Sequence, residues 1–339
     1  MTGGGRRTTS TSSPSSIAVE TPKRISWPAR KRSARRSCAS LKYSRGLTTT
    51  GVGRRSRGRS SRIAASATTT AVTRAIGRRS REGTDQTLRT PGHVPSMRVA
   101  IVSDIHGNRQ GFEAAIAAAE TAGADELWCL GDLVGYGADP DACVALAADH
   151  CAICLAGNHD LAVTGALSLA DFSRGAALAA QWTKEIISEE TRAYLESLSP
   201  QGSAEGVGLY HASPRDPVWE YVLSTLAAEL CLDATDHRVS LIGHSHVALS
   251  FNRPEGLPAT GSTRRGGTEL DVGEGEWLIN PGSAGQPRDG DPRAAWLLLD
   301  TDRWTASWRR AEYDVARAAA AIRAARLPDS LAERLLHGQ

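Results

Sequence analysis

Residues 97–339 are predicted to adopt an α/β fold. Short apolar runs alternate with segments whose apolar residues recur at helical spacing, which indicates strands followed by helices. The runs end in glycine followed by Asp, Asn or His, as buried parallel strands end in polar loops. The chain has 339 residues, 40% of them hydrophobic, which is enough to bury a substantial core. Strand and helix in this order predict short right-handed crossovers.

The first 96 residues differ from the rest in composition. They contain 21 of the chain's 40 Lys and Arg side chains but only three of its 37 Asp and Glu side chains, a net charge of +18 against −15 for the remainder. They are rich in Ser, Thr, Arg and Gly and show no sustained hydrophobic period. Because such a segment buries too little apolar area to offset the entropy of ordering, it is predicted to be disordered.

Three interpretations of this basic segment remain open. Its arginine clusters suit an anionic surface or nucleic acid. Its Arg- and Ser-rich, acid-poor composition also suits a targeting peptide. The third interpretation, which we favour, is a mis-assigned start. The chain has only two methionines, Met1 and Met97, and Met97 directly precedes the first strand.

Composition also limits the function of residues 97–339. Their net negative charge argues against nucleic-acid binding through a broad basic surface. Six cysteines are too few for a disulfide scaffold, and Cys151 and Cys154 are expected to be reduced and mostly buried. No apolar run approaches the ~18–20 residues of a membrane span, and no secretory signal is recognisable. We therefore expect a soluble, cytoplasmic protein.

The secondary structure follows from the order of these runs. Strands are predicted at residues 99–102, 127–130, 151–155, 206–210, 239–242, 277–279 and 294–299. A helix follows the first strand and ends near Gly123, another surrounds Val144, and amphipathic helices close the chain. Residues 171–198 are predicted to be helical, with Leu178, Trp182, Ile186 and Ile187 on one face, and to flank or cap the site.

Polar residues with metal-binding side chains follow these apolar runs. Asp104 and His106 come directly after the first run, and residues i and i+2 of an extended segment point the same way. The others are Asp132, Asn158, His159, His211, His244 and His246. The set mixes carboxylate, amide and imidazole ligands and exceeds what one tetrahedral zinc needs. It therefore suits two metal ions that share a bridging carboxylate.

Five sequence blocks give this pattern a specific resemblance. The order D-x-H at 104–106, G-D at 131–132, G-N-H-D at 157–160, His211 and G-H-S-H at 243–246 resembles the calcineurin-like metallophosphoesterase family, in its compact bacterial phosphodiesterase-like branch. The resemblance implies a four-layer α/β/β/α sandwich with a dinuclear metal site at the carboxyl ends of the strands. It implies one metal at Asp104, His106 and His246, a second at Asn158, His211 and His244, and a bridging Asp132.

The resemblance also implies an activity and cofactors. The expected reaction is hydrolysis of a phosphodiester or phosphomonoester, small or nucleotide-like, by metal-bound hydroxide, with a protonated His159 facing the substrate as the catalytic histidine. Mn²⁺ is the expected metal, with Fe, Zn and Ni as alternatives. The expected partner is a small-molecule phosphate ester, and the sequence does not indicate an oligomeric state.

One block departs from the pattern of the protein Ser/Thr phosphatases. Where that branch has an aspartate that orients the catalytic histidine and an arginine that grips phosphate, this chain has Gly135 and Tyr136. Asp160 is a candidate for the orienting role. The late stretch 280–288 is expected to turn backbone amides toward a phosphate. The candidate substrate contacts are Arg109, Tyr136, Arg215 and Arg288.

Three alternatives to this function stay open on the sequence alone. A metal-binding scaffold of the same fold that lacks turnover is the first, and a protein Ser/Thr phosphatase is the second. The third is a nucleic-acid-binding protein, which depends entirely on residues 1–96.

Overall fold

The computed structural model describes residues 97–339, so the predictions for residues 1–96 lie outside the described residues. The strands in this part of the chain are β1 (Arg98–Val102), β2 (Glu126–Cys129), β3 (Cys151–Cys154), β4 (Gln201–Ala204), β5 (Val207–Tyr210), β6 (Val239–Leu241), β7 (Ala248–Arg253), β8 (Thr260–Thr263), β9 (Glu269–Asp271), β10 (Glu276–Pro281), β11 (Ala294–Asp300) and β12 (Thr305–Ala311). The helices are α1 (Arg109–Thr121), α2 (Pro140–His150), α3 (Asn158–Thr164), α4 (Arg174–Ile186), α5 (Glu189–Glu196), α6 (Thr225–Leu232), α7 (Val315–Ala324) and α8 (Asp329–His337).

The strands form two mixed sheets of six. The first has the order β3-β2-β1-β11-β12-β9, in which β1, β2 and β3 are parallel and β11 runs antiparallel to β1. The second has the order β4-β5-β6-β10-β7-β8, in which β5, β6 and β10 are parallel. Each sheet thus has three parallel strands whose carboxyl ends lie at one edge, and β1, β2, β3, β5 and β6 lead directly into the polar blocks.

The main hydrophobic core lies between the two sheets. It joins Ile101 and Trp128 of the first sheet to Leu209, Leu241 and Ile279 of the second. Helix α1 packs on β11 and β12, and α6 packs on β7 and β10 of the other sheet. The predicted α/β fold with two sheets between helices is therefore confirmed. No helix in residues 97–339 is both long enough and apolar enough to cross a bilayer.

The helical segment predicted at residues 171–198 is present, but it departs from the prediction in two respects. It is two helices, because Ile187 is extended and Ser188 caps α5 by accepting a hydrogen bond from the Thr191 N–H. The predicted apolar face is also only partly buried: Ile187 is buried and Trp182 packs against a core cluster, but Leu178 is 52% exposed and Ile186 46% exposed. Helix α4 instead buries its small residues against α7 and α8 through a cluster that includes Ala176, Ala179, Ala318, Ala319 and Leu331.

Candidate metal centre

The residues of the polar blocks come together at the carboxyl edge of the two sheets. Asp104 and His106 follow β1, and Asp132 follows β2. The amide of Asn158 and the ring of His159 lie in the first turn of α3, directly after β3. The second sheet supplies His211 after β5, and His244 and His246 after β6. All eight side chains are buried.

The first group of metal-binding atoms comes from Asp104, His106, Asp132 and His246, and these atoms all lie within 4.8 Å of one another. The Nε2 atoms of His106 and His246 are 3.0 Å apart. His246 Nε2 lies 3.5 Å from Asp104 Oδ1, and His106 Nε2 lies 3.5 Å from Asp132 Oδ2. One carboxylate, two imidazoles and a second carboxylate thus converge on one point.

The second group shares Asp132 with the first and adds His211 and His244. His211 Nε2 lies 3.5 Å from Asp132 Oδ2, the same oxygen that faces His106. The Asn158 Oδ1 atom lies 3.2 Å from His211 Nε2. Because one oxygen of Asp132 faces both groups, this carboxylate is placed to bridge two cations.

Three of the imidazoles are held in the tautomer that metal binding requires. The Nδ1–H groups of His106, His211 and His246 donate to the backbone carbonyls of Val134, Leu130 and Gln286, over 3.1, 2.9 and 2.6 Å. Nε2 of each ring is therefore left with its lone pair toward the centre. Backbone acceptors of this kind orient metal-ligating histidines and raise their basicity.

The electrostatics of the two groups fit bound cations. Burial raises the pKa of Asp104 to about 7 and, with the charge of Asp160, raises that of Asp132 well above its usual value. Burial also holds the pKa of His106, His244 and His246 well below the ordinary value, so these rings are neutral, as ligands must be. Among the side chains of the two groups, three buried atoms lack any hydrogen-bond partner: Asp104 Oδ1, Asp132 Oδ2 and His244 Nε2. Cations between these residues would satisfy all three, because buried polar atoms need partners.

The backbone at these residues is strained. Asp104, His106, Asp132, His244 and His246 all have positive φ between 50° and 63°, a conformation that costs about 1–2 kcal/mol for a residue with a Cβ. Strain of this kind persists only where the surrounding structure enforces it.

The loop after β10 helps to hold this backbone conformation. Ser283 Oγ donates to Asp104 O over 2.7 Å, and Asn280 Nδ2 donates to Gly243 O over 2.7 Å. The expectation that amides of this stretch turn toward a phosphate is wrong for most of them, because they donate to protein acceptors. The engaged N–H groups belong to Gly282, Ala284, Gly285, Gln286 and Arg288.

His159 sits beside the first group in an aromatic environment. Its ring centroid is 4.8 Å from that of His106, 4.4 Å from Tyr136 and 5.0 Å from Phe172. Burial, with smaller contributions from the charges of Arg288 and His211, lowers the pKa of His159 to about 3. The expectation of a protonated His159 is therefore wrong for this structure, in which the ring is neutral near pH 7.

Asp160 does not orient His159. Its carboxylate accepts hydrogen bonds from the backbone N–H groups of Leu133, Val134 and Gly157, over 3.2, 3.1 and 2.8 Å. It joins the loop of Asp132 to the start of α3, whereas Nδ1 of His159 has no partner. At Gly135, the position of the missing aspartate, an added Cβ would lie 2.5 Å from that same Nδ1.

The candidate substrate contacts divide into two kinds. Arg109 is about half exposed, pairs with Glu113 at 2.7 Å, and lines a different cavity of about 310 Å³ beside α7. Arg215 is also largely exposed and pairs with Glu220 at 3.1 Å. Arg109 thus lies at a different cavity, and the guanidinium of each is already paired with a glutamate. Arg288 does adjoin the centre, together with Tyr136, which is buried against His106 and His159.

An aromatic rim surrounds the centre. Phe172 contacts His159 and, at 5.0 Å between ring centroids, Trp219. Tyr221 is 49% exposed and lies 4.1 Å from the His244 ring. The sequence did not predict the contact of Phe172 with His159. Phe172 falls in a segment predicted to be helical, and helical spacing does not indicate that a residue just before α4 turns toward the site.

The comparisons with known proteins agree with this geometry. The profile of the Calcineurin-like phosphoesterase superfamily domain matches residues 97–303, more than half of the chain. The chain is 36% identical over 251 residues to an uncharacterized protein of Methanocaldococcus jannaschii, covering 73% of this chain and all of that protein. A crystal structure of a metallophosphoesterase from Sphaerobacter thermophilus matches with 38% identity and a TM-score of 0.66, over 72% of this chain and all of that one. A hypothetical protein from Pyrococcus horikoshii shares the fold at 19% identity and a TM-score of 0.58, over 72% of this chain and 99% of that one.

Proposed function

Because the chain belongs to the calcineurin-like phosphoesterase superfamily, we propose that it hydrolyses a small phosphate ester, with two divalent cations that share Asp132. The observation that carries the proposal is the pair of buried ligand groups with one common oxygen, Asp132 Oδ2, which has no hydrogen-bond partner. A structural zinc site needs only four ligands and no shared carboxylate.

The ligands would form two sets, one for each cation. Asp104, His106 and His246 would hold one cation, and Asn158, His211 and His244 the other, with Asp132 common to both. Cations bound there would neutralise charge on phosphoryl oxygens and would lower the pKa of a water molecule toward neutral pH. Mn²⁺ is our choice, since imidazole with carboxylate and amide oxygens suits it, and Fe, Zn and Ni are the alternatives.

The chain's own residues orient and enclose the substrate. Asp132 Oδ1 accepts a hydrogen bond from the backbone N–H of His159 over 2.8 Å, so the bridging carboxylate also fixes the position of the catalytic histidine. As a neutral ring, His159 holds one proton and can donate it in a hydrogen bond to an oxygen of the ester. Phe172 and Tyr136 pack against the ring of His159, which is buried.

The substrate we propose is a phosphodiester rather than a phosphoprotein. In the protein Ser/Thr phosphatase branch an aspartate orients the histidine and an arginine grips phosphate, and here Gly135 and Tyr136 occupy those positions. The buried ring of Tyr136 supplies no charge there. The aromatic rim and the buried centre favour a small or nucleotide-like ester. A cytoplasmic location remains a prediction from the sequence.

The test is hydrolysis of bis-p-nitrophenyl phosphate and p-nitrophenyl phosphate by the full chain, stripped of metal and reloaded with Mn²⁺. We expect turnover only with metal and faster cleavage of the diester. Asp132→Asn is expected to abolish turnover, and His159→Ala to lower it about 10²–10⁴-fold while the protein stays folded. Asp302→Asn is the matched control, because Asp302 is exposed in the turn between β11 and β12, at the end of the sheet where β1 begins and opposite the ligand loops. A folded, Mn²⁺-loaded protein that cleaves neither ester nor any of a panel of nucleotides would support a metal-binding scaffold instead.

A further inference from the structure

Arg288 is a cation without an anionic partner beside a metal centre. Its Nε atom is buried and has no hydrogen-bond partner. No carboxylate in residues 97–339 forms an ion pair with its guanidinium, unlike those of Arg109 and Arg215. Since buried charges are normally paired, an unpaired guanidinium in this position indicates an anionic ligand.

The guanidinium is held in place from three sides. Its backbone N–H donates to the carbonyl of His246, which ties the residue to a proposed metal ligand. One terminal nitrogen donates to Gln286 Oε1 over 3.1 Å. The guanidinium carbon lies 5.8 Å from the centroid of the Tyr136 ring, within the range of a cation–π contact. These contacts leave the buried Nε atom without a partner, so that its N–H is available to a ligand.

Arg288 lies beside residues of the centre itself. Its backbone is bonded to His246, and the Tyr136 ring beneath its guanidinium has its centroid 4.6 Å from that of His106 and 4.4 Å from that of His159. The guanidinium therefore lies near both cation positions and the catalytic histidine, where a phosphoryl group would bind.

We propose that Arg288 binds a non-bridging oxygen of the substrate's phosphoryl group, and that Tyr136 positions its guanidinium. The chain thus supplies from the loop after β10 the arginine that the Ser/Thr phosphatase branch carries at the position of Tyr136. This inference rests on the proposed function for the identity of the ligand, a phosphate ester. A guanidinium fork matches two phosphate oxygens, whereas an ammonium group acts as a point charge.

The test is calorimetric titration of the Mn²⁺-loaded full chain with inorganic phosphate. We expect Arg288→Gln to weaken phosphate binding about 10–100-fold, in line with the loss of a charge-assisted hydrogen bond, and Arg288→Lys to recover part of it. Arg309→Gln is the matched control, since it removes the same charge from an exposed position on β12. Mn²⁺ affinity, measured in parallel, should stay unchanged or rise in Arg288→Gln, because a cation beside the metal positions is removed.

The outcomes separate this inference from the proposed function. We call the proposed binding of a phosphoryl oxygen by Arg288 the clamp. Phosphate binding that depends on Arg288, in a protein that hydrolyses no ester, would support the clamp and contradict the proposed hydrolysis. Equal phosphate affinity in wild type, Arg288→Gln and Arg288→Lys would overturn the clamp, as would a wild-type, Mn²⁺-loaded protein that binds no phosphate. If Arg288→Gln fails to fold, the comparison of Arg288→Lys with wild type decides. A clamp predicts weaker phosphate binding at equal thermal stability, and a purely structural arginine predicts equal phosphate binding.

Discussion

Replacement of Gly157 by alanine tests how the bridging carboxylate is held. Gly157 has φ −94° and ψ 176°, extended values that alanine adopts without strain, so the effect is purely steric. An added Cβ would lie 1.9 Å from Asp132 Oδ1 and 2.4 Å from its Cγ, whereas real Cβ contacts stay beyond 3.0 Å. The carboxylate must therefore move by about 1 Å. A misplacement of that size can lower the rate of a catalysed reaction about 10²-fold.

We expect Gly157→Ala to weaken Mn²⁺ binding about 10–100-fold and to lower the free energy of unfolding by about 1–3 kcal/mol through overpacking. Calorimetric titration with Mn²⁺ and denaturant unfolding measure the two effects. Gly175→Ala is the control, because an added Cβ there meets nothing within 4 Å and lies in helix α4. It should add about 0.5–1 kcal/mol of stability and leave Mn²⁺ affinity unchanged. Wild-type Mn²⁺ affinity in Gly157→Ala would refute the role given to Asp132.

Three further predictions concern the same centre. The pKa of Asp104 is raised to about 7, and its carboxylate must lose a proton to bind metal, so Mn²⁺ affinity should fall as pH drops below about 7. Calorimetry in buffers of different ionisation heat measures the released protons, and constant affinity from pH 7 to 5 would contradict this. Asp160→Asn places an NH₂ group against backbone donors and should lower the free energy of unfolding by about 2–4 kcal/mol. The exposed control Asp302→Asn should change it by no more than about 0.5 kcal/mol, both measured by denaturant unfolding. Gly135 has φ +88°, so Gly135→Ala strains the loop as well as pressing on His159. It should reduce kcat about 10²-fold at unchanged Mn²⁺ affinity, and a loss of metal binding would show that the strained loop, rather than the histidine, is responsible.

The strand ends were predictable because the signal is local. An apolar run followed by glycine and a polar residue marks a parallel strand and its loop, and the topology then brings such loops to one edge. Exposed strands carry no such signal. Every residue of β8 is exposed. In β9 the single apolar residue, Leu270, lies between two exposed acidic residues, so the sequence predicts neither strand.

Other features depend on partners that a sequence does not display. The Asp160 carboxylate accepts hydrogen bonds from three backbone N–H groups. Because every residue except proline carries a backbone N–H, the sequence does not indicate which of them would be its partners. Leu178 and Ile186 have helical spacing, but α4 turns its alanines inward because close packing on α7 and α8 requires small side chains. The Glu113 partner of Arg109 lies only four residues along the predicted helix, whereas the contacts of Arg288 with His246 and Tyr136 depend on the path of the chain.

The most direct test of the central claim is anomalous diffraction from crystals of the Mn²⁺-loaded protein. The account predicts two manganese peaks on either side of the Asp132 carboxylate, one among Asp104, His106 and His246 and the other among Asn158, His211 and His244. A single peak bound without Asp132, or peaks only at other positions, would contradict a dinuclear centre built on the shared carboxylate.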